Sequence, residues 1–583
     1  MEGDRWGRRR VCVGTLATKI KQLWPETPPS VIKPNSATKG WQWGITYADL
    51  ARLTILTAIG LVILTFRDYG ITNDEEVQKI YGQMILDYYT SGFHDLSALS
   101  FKDLYYYGGL FDVVSAFINQ FSPLGEYETR HLLGGLVGVL GLVGTWRLAR
   151  LLGGERAGFL AVSLLAMTPV YYGPAFNNPK DIPFAVGMVW TLLTGCQLIA
   201  HLPRPPLRNV LAFALSQGLT LGVRVGGGLA GIYLLGVLLV YLVWRGLETR
   251  SVKIVHREAR TMALALLPVL PIAYATMAVF WPWAYRSPLN PLVAVAHFSH
   301  YNINIDTLMA GNWLPAGHLP AIYLPLYLVV KVPELVLVGT TAGLAVAMTW
   351  LWQRRRRSYF DRVHLLQIAL LTLAVVFPLA FFVIERPTIY NGIRHFEFLL
   401  PPLAVIAALG LDRLWTKLCQ GSEQRAKAFG LALSAAVLFQ IWVMARLHPD
   451  EYVYFNALAG GVKGADGKFE LDYWCNSLAE AARDLTAFVE MENGGRPVNR
   501  VYKVAICGDP LAATYFMPSY LRFTTKPSEA DFFIAFTQHD CDRVVAGREI
   551  IAVQRFGATL SVVKDLRPLQ QKAESTQSAR AIN

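Results

Sequence analysis

Long unbroken apolar runs alternate with short polar connections over most of this chain. Runs with close to the twenty residues or so that cross about 30 Å of hydrocarbon lie near 50–66, 132–150, 157–173, 183–200, 209–223, 227–244, 262–281, 320–350, 364–384, 396–411 and 428–446. The pattern predicts about eleven membrane helices, with 209–244 open to a different division around Arg224 and the glycines Gly226, Gly227 and Gly228. After about His448 the hydropathy drops. Residues 501–507, 532–536 and 550–555 are short, apolar and β-prone, and 478–490 has helical spacing, so a small α/β domain is expected there. Four parts follow: a tail over 1–48, an α-helical polytopic part over 49–447, an α/β domain over 448–569, and a tail over 570–583 whose Gln, Ser, Ala and Lys predict disorder.

Composition agrees with a membrane location. Of the 583 residues 53% are hydrophobic and 16% charged, too apolar for a soluble multidomain protein. The net charge of +12 raises nucleic acid as a partner, but the Lys and Arg fall in short connections and no basic stripe with interleaved aromatics occurs, which argues against it. Every second connection is basic: Arg147, Arg150 and Arg156; Arg204 and Arg208; Arg245, Arg250, Lys253, Arg257 and Arg260; Arg354 to Arg357; Arg413, Lys417, Arg425 and Lys427. By the positive-inside rule these are cytoplasmic, as is the N-terminal tail, which has Arg5, Arg8, Arg9 and Arg10 but no signal-peptide apolar stretch. An odd number of helices then puts the C-terminal domain on the opposite face of an inner or plasma membrane, the periplasmic or luminal one. Cys475, Cys507 and Cys541 lie in that domain, where one disulfide or three unpaired thiols are both compatible with the spacing.

The connections on the non-cytoplasmic face carry the chemistry-bearing residues. Directly after the first apolar run come Thr72, Asn73, Asp74, Glu75 and Glu76. A carboxylate in hydrocarbon costs roughly 2.5–3.5 kcal/mol, so these acids face water, protein or a ligand. An acidic helix start capped by Thr72 or Asn73 is the bland account. Mutual repulsion among the carboxylates is expected to raise one toward the range of a base. Lys180 and Asp181 precede Pro183 at the start of another span, with a capped helix start as the competing explanation. Arg386, Tyr390, Asn391, Arg394 and His395 stand before the tenth span, and Tyr105, Tyr106 and Tyr107 in the first connection. Arg130 and His131 are further candidates. Lys331, with Tyr323 close by, and Arg224 are ionisable groups within apolar runs.

One carboxylate to take a hydroxyl proton and several cations to hold a leaving phosphate form a minimal site for transfer of a sugar from a lipid phosphate. Asp74, with Glu75 and Asp181, supplies the acids. Arg394, His395, Arg386 and Lys331 are candidates for gripping the phosphate, since a guanidinium matches phosphate oxygens bidentately. Tyr107, Lys180, Tyr323, Tyr390 and Asn391 are candidates for positioning substrate. The glycine-rich stretch ending in Gly467 and Lys468 is not a phosphate loop, because Val462 and Phe469 stand where Gly and Ser or Thr are required.

Asn73, Asp74 and Glu75 after the first span resemble the acidic motif of GT-C membrane glycosyltransferases, in particular the dolichyl-phosphate-mannose protein mannosyltransferase and lipid A aminoarabinose transferase superfamily. Further blocks are similar to stretches of its bacterial members: Gly311, Trp313 and Pro315 through Tyr323 to Lys331 and Pro333; Tyr390 to Phe396 with Pro401 and Pro402; and His448 to Asn456 with Gly460, Gly461, Gly464, Asp472, Tyr473 and Trp474. The resemblance spans about residues 50 to 480. It implies an inverting transferase with Asp74 as base, a polyprenyl-phosphate-linked sugar as donor, and an envelope lipid, polysaccharide or protein as acceptor, working on the non-cytoplasmic face. No carbohydrate-binding module of the eukaryotic type lies between the helices. A divalent metal ion near the carboxylates is left open by the aminoarabinose branch.

Two other classes compete. A lipid-linked-sugar flippase or secondary transporter predicts internal repeats and ionisable groups near the midplane, and only Lys331 and Arg224 fit the latter. A non-catalytic envelope scaffold predicts that the acids of the first external connection are dispensable.

Overall fold

The computed structural model describes residues 45–299, 303–353 and 359–567. The tail expectations over 1–44 and 570–583, the run Arg354 to Arg357, and His300 and Tyr301 lie outside the described residues.

The chain forms a polytopic helical bundle with a small sheet layer at its C-terminal end. Among the described residues, eight helices are long and apolar enough to cross a membrane: Tyr47–Thr65, Glu126–Gly153, Asp181–Ile199, Val225–Thr249, Val252–Phe280, Arg362–Glu385, Arg394–Gly421 and Glu423–Leu447. Two bent pairs raise the number to ten: Glu155–Ala166 with Pro169–Asn177, broken by 76°, and Tyr323–Lys331 with Glu334–Met348, broken by 116°. Both breaks precede a proline, Pro169 and Pro333, and a residue before proline is driven out of helical geometry. Thr168 and Val332 are accordingly extended. The apolar run near 209–223 forms the helix Leu207–Leu221, whose 15 residues rise about 22 Å at 1.5 Å each, short of the hydrocarbon thickness. The expected eleven spans are therefore not reached, although every apolar run is helical.

Burial sorts these helices. Leu53, Leu56 and Leu64, then Leu264, Leu267 and Leu270, then Leu431 and Leu438 are exposed, as lipid-facing positions are. The helices Glu126–Gly153, Asp181–Ile199 and Arg394–Gly421 pack into one large apolar cluster. Residues of the stretch Tyr452 to Trp474 join the same cluster, so the chain packs against its own helices after the last of them ends.

Strands β1 (Asp306–Met309) and β2 (Asn312–Pro315) form an antiparallel hairpin between membrane helices. The C-terminal sheet consists of β3 (Tyr502–Cys507), β4 (Leu521–Thr524), β5 (Phe532–Phe536), β6 (Arg548–Arg555) and β7 (Ala558–Asp565) in the order β4-β3-β5-β7-β6. β3 runs parallel to β4 and β5, while β7 is antiparallel to β5 and β6. Leu478, Ala481, Leu485 and Val489 recur at helical spacing on the helix Leu478–Glu492 and pack on Val504, Phe532, Ile534 and Val563. The three β-prone runs and the helix are those expected from the sequence. β4, β7 and the hairpin were not foreseen. Cys507 and Cys541 form a disulfide and Cys475 is a buried free thiol.

Candidate active site

The helix Glu75–Thr90 begins at Asp74, whose side chain makes no capping hydrogen bond. It is engaged instead by the Arg394 guanidinium, which opens the helix run Arg394–Gly421. Burial pushes the Asp74 carboxyl up, but Arg394 and Lys180 outweigh it and hold the group below its ordinary value. The expectation that repulsion among the three acids raises one of them is thus corrected for Asp74, because cations and not the neighbouring acids face it.

Asp181 opens the helix Asp181–Ile199 and is buried. Arg224 Nη2 lies 2.6 Å from its Oδ1, Arg394 Nε 3.4 Å from its Oδ2, and Asn178 Nδ2 donates to Oδ2 at 3.0 Å. Arg394 therefore straddles two carboxylates. Its guanidinium also lies over the rings of Trp474, at 4.9 Å, and Tyr390, at 5.7 Å.

Lys180 completes the cluster. Its ammonium sits 4.6 Å over the Tyr107 ring, on which Arg224 also rests at 5.7 Å. The Gln78 amide satisfies its neighbours when its oxygen accepts from Lys180 Nζ at 2.8 Å and its nitrogen donates to Asp112 Oδ2 at 2.7 Å. Asp112 in turn pairs with the buried Arg130 at 2.6 Å. Burial lowers Lys180 to about 8 and lifts Asp112 to about 6. Tyr107 reaches this position because its chain runs against the Arg224 turn: Leu110 N donates to Gly222 O at 3.0 Å, and a Cβ on Gly108 would fall 2.1 Å from that carbonyl oxygen. Three cations, Lys180, Arg224 and Arg394, so surround Asp74 and Asp181, and a third buried acid, Glu397, shares the Asn178 amide with Asp181 at 3.3 Å.

Other candidates are engaged elsewhere. Glu75 accepts from Thr72 N at 2.9 Å and faces His131 Nε2 at 3.1 Å, so it ties the turn to the helix Glu126–Gly153. Lys331 donates to Tyr452 O at 2.9 Å and sits 3.8 Å over the Phe455 ring. Tyr323 accepts from the Gly392 amide at 3.1 Å, and Asn391 precedes that glycine in the turn before Arg394. His395 stacks edge-on with Tyr390 at 4.8 Å, next to Arg394. The Arg386 side chain is exposed, and among the described residues no ion pair holds it. Sequence reasoning missed Asn178, Gln78 and Asp112 as members of the cluster and treated Arg224 only as an ionisable residue in an apolar run. Arg224 was the one with a signal, since an intramembrane arginine needs a partner. Among the described residues no group of three or more His, Cys, Asp or Glu side chains is arranged to hold a metal ion, and Asp74 and Asp181 are met by guanidinium groups.

Chemically, the cluster pairs acids able to accept a proton with cations able to bind an anion, at the ends of membrane helices. The fold and this site define a polytopic membrane protein with a buried, cation-rich ionic centre. Residues 124–274, about a quarter of the chain, match the family described as dolichyl-phosphate-mannose-protein mannosyltransferase, which is the family its motifs resemble. No curated protein sequence matches significantly. Solved structures similar to the chain include ArnT from Cupriavidus metallidurans in the apo state, at 15% identity over 88% of this chain and 97% of that one, with a TM-score of 0.47. The same protein bound to undecaprenyl phosphate gives 14% identity, 88% and 97% coverage and a TM-score of 0.46. AglB, an oligosaccharyltransferase from Archaeoglobus fulgidus in complex with an inhibitory peptide and a dolichol-phosphate, gives 14% identity, 85% and 70% coverage and a TM-score of 0.47.

Proposed function

We propose that the protein is an inverting glycosyltransferase that moves a sugar from a polyprenyl-phosphate donor to a hydroxyl of an envelope lipid, polysaccharide or protein on the non-cytoplasmic face. The observation that carries this reading is Arg394 shared between Asp74 and Asp181, with Arg224 and Lys180 beside it. The match to the mannosyltransferase family over residues 124–274 supports it. The Cys507–Cys541 disulfide supports the sidedness, as do the basic connections when the short helix Leu207–Leu221 is counted as an eleventh crossing.

In the reaction, the acceptor oxygen bonds to the anomeric carbon as the bond from that carbon to the phosphate oxygen breaks. The bonding pair leaves with the phosphate, the hydroxyl proton goes to Asp74, and displacement from the opposite face inverts the configuration. Arg394, Arg224 and Lys180 take up the charge that develops on the phosphate. The donor phosphate also competes with Asp74 for Arg394 and Lys180. Once those cations turn to phosphate, the burial that raises Asp74 is less opposed, and the carboxylate becomes a better base. Asp181, held by Arg224 and Asn178, keeps the guanidinium groups in place and is a positioning residue in this scheme. Arg386 and Lys331 have no part in it. Residues 49–447 are assigned as the transferring part and 448–569 as a domain on the same face as the site.

The test is transfer of radiolabelled sugar from a set of polyprenyl-phosphate sugars to cell-envelope acceptors, with wild type and Asp74→Asn at equal protein level. Label incorporated by the wild type and lost in the variant is expected. Equal rates would remove Asp74 as the base, and no transfer with any donor, together with movement of the lipid across the membrane, would favour a flippase.

A further inference from the structure

The segment that delivers Arg394 is a tight turn. Asn391 and Gly392 both have left-handed backbone, at φ of 57° and 67°, and a Cβ on Gly392 would meet the Tyr327 ring at 3.1 Å. Asn followed by Gly adopts such a turn readily, so what takes support from outside is the placement of the turn against the helices.

That support is a directed chain of hydrogen bonds. The Gly392 amide donates to the Tyr323 hydroxyl at 3.1 Å. With its oxygen so occupied, the Tyr323 hydroxyl has its proton free for Thr307 Oγ1, 2.9 Å away. The Thr307 hydroxyl donates to Glu470 Oε2. The other carboxylate oxygen, Oε1, accepts from Gln538 Nε2 at 2.8 Å. Every donor points toward one buried carboxylate, so the chain has a single direction and polarises cooperatively.

The members come from five separate places: the Arg394 turn, the helix Tyr323–Lys331, strand β1, the stretch around Glu470 that follows the last membrane helix, and the loop after β5. That loop is tied to the sheet by the Cys541–Cys507 disulfide, and its His539 ring stacks on Trp313 of β2 at 4.4 Å. The charged and titratable groups that face the carboxylate include Lys331, Tyr323, Tyr327 and Tyr473.

We propose that Glu470 is the positioning residue through which the C-terminal sheet layer, by way of Gln538, holds the Asn391–Arg394 turn and thereby sets the grip of Arg394 on a donor phosphate. The proposal rests on the reading of Arg394 as a phosphate-binding group. It gives the C-terminal layer a role at the site without placing any residue of its sheet among the reacting atoms.

The experiment uses the full chain in lipid nanodiscs with the variants Glu470→Gln, Tyr323→Phe and Gln538→Leu. An amide at 470 presents a donor where the chain requires an acceptor, a phenylalanine at 323 cuts it in the middle, and a leucine at 538 detaches the sheet layer. Hydrogen exchange is followed in the peptide covering 388–395, and affinity is measured for undecaprenyl phosphate itself. Loss of a hydrogen bond to a charged group predicts roughly tenfold faster exchange in that peptide and a roughly tenfold weaker lipid phosphate, with donor KM raised and kcat within about twofold. Unfolding midpoints report whether each variant folds, and Gln538→Leu, which lies outside the membrane helices, serves if the buried changes do not. Unchanged exchange over 388–395 in Gln538→Leu overturns the coupling. Faster exchange with unchanged affinity overturns the positioning role. If the wild type binds no lipid phosphate, the transferase reading fails, and the exchange comparison still decides whether Gln538 and Glu470 hold the turn.

Discussion

Two buried ionic networks lie in this molecule, and they are built on opposite plans. Around Asp74 and Asp181 the acids are met by the cations Lys180, Arg224 and Arg394, and Arg394 divides its guanidinium between both. Where the helices meet the sheet layer, the acids are closed off by short-range partners. Asp472 accepts from Asn476 N at 3.0 Å, Ser477 N at 3.1 Å and the Tyr452 hydroxyl. Asp450 takes Arg555 at 2.8 Å and Asn476 Nδ2 at 2.6 Å, and Glu451 takes Tyr69 at 3.0 Å and His448 at 2.9 Å. In the second network most partners are neutral donors of the chain itself, and its one guanidinium, Arg555, is divided between Asp450 and Glu480. The first holds its acids with shared cations that an anionic ligand can draw away. Burial and charge by themselves do not mark a functional site.

Substitutions that conserve shape separate the two plans. In Asp74→Asn, sugar transfer is expected to fall by roughly 10²–10⁴ with the unfolding midpoint little changed. A drop in stability with intact specific activity would move Asp74 into the structural class. Asp472→Asn is expected to do the reverse, destabilising the protein by about 1–3 kcal/mol in thermal or denaturant unfolding while the folded fraction keeps its activity. Activity lost in proportion to rate rather than folded fraction would contradict that assignment.

The pH dependences differ as well. Lys180, lowered by burial to about 8, carries its charge below that pH and loses it above. Donor KM is therefore expected to rise above pH 8, by up to about tenfold per unit, and the limb is expected to vanish in Lys180→Arg, whose guanidinium stays charged. The smallest effect belongs to His448. Burial lowers it, but Glu451 and Asp68 outweigh burial and raise it to about 9. A histidine raised above its unfolded value adds stability that is complete below about 6.5 and is lost as pH climbs through about 9. Unfolding midpoints should decline over that window in the wild type and stay flat in His448→Gln, with transfer unaffected at pH 7.

Much of this was legible because hydrocarbon imposes its own grammar. A segment crossing it must be apolar and helical, so each run near its expected place became a helix, and the acids, Lys180 and Arg394 stood out as residues lipid does not accept. Short strands such as β4 carry only four residues and no alternation long enough to read. Lys331 looked like a site residue by the same rule that singled out Arg224. Only packing directs it to the Tyr452 carbonyl and the Phe455 ring instead. Glu75, next in sequence to Asp74, turns the other way to His131, since one step along a helix start rotates the side chain to a different face.

The sequence by itself determined that the chain spans a membrane many times, where the long apolar helices run, that a small α/β domain follows them, and which polar residues gather at one end. Those properties depend on solvent partition and local periodicity, which neighbouring residues decide. Tertiary structure alone decided that Asp74, Asp181, Arg224 and Arg394 share one centre, that Gln78 and Asn178 serve it, and that Glu470 ties a distant loop to the Arg394 turn. Such contacts join residues far apart along the chain, and their geometry exists only once the helices have packed.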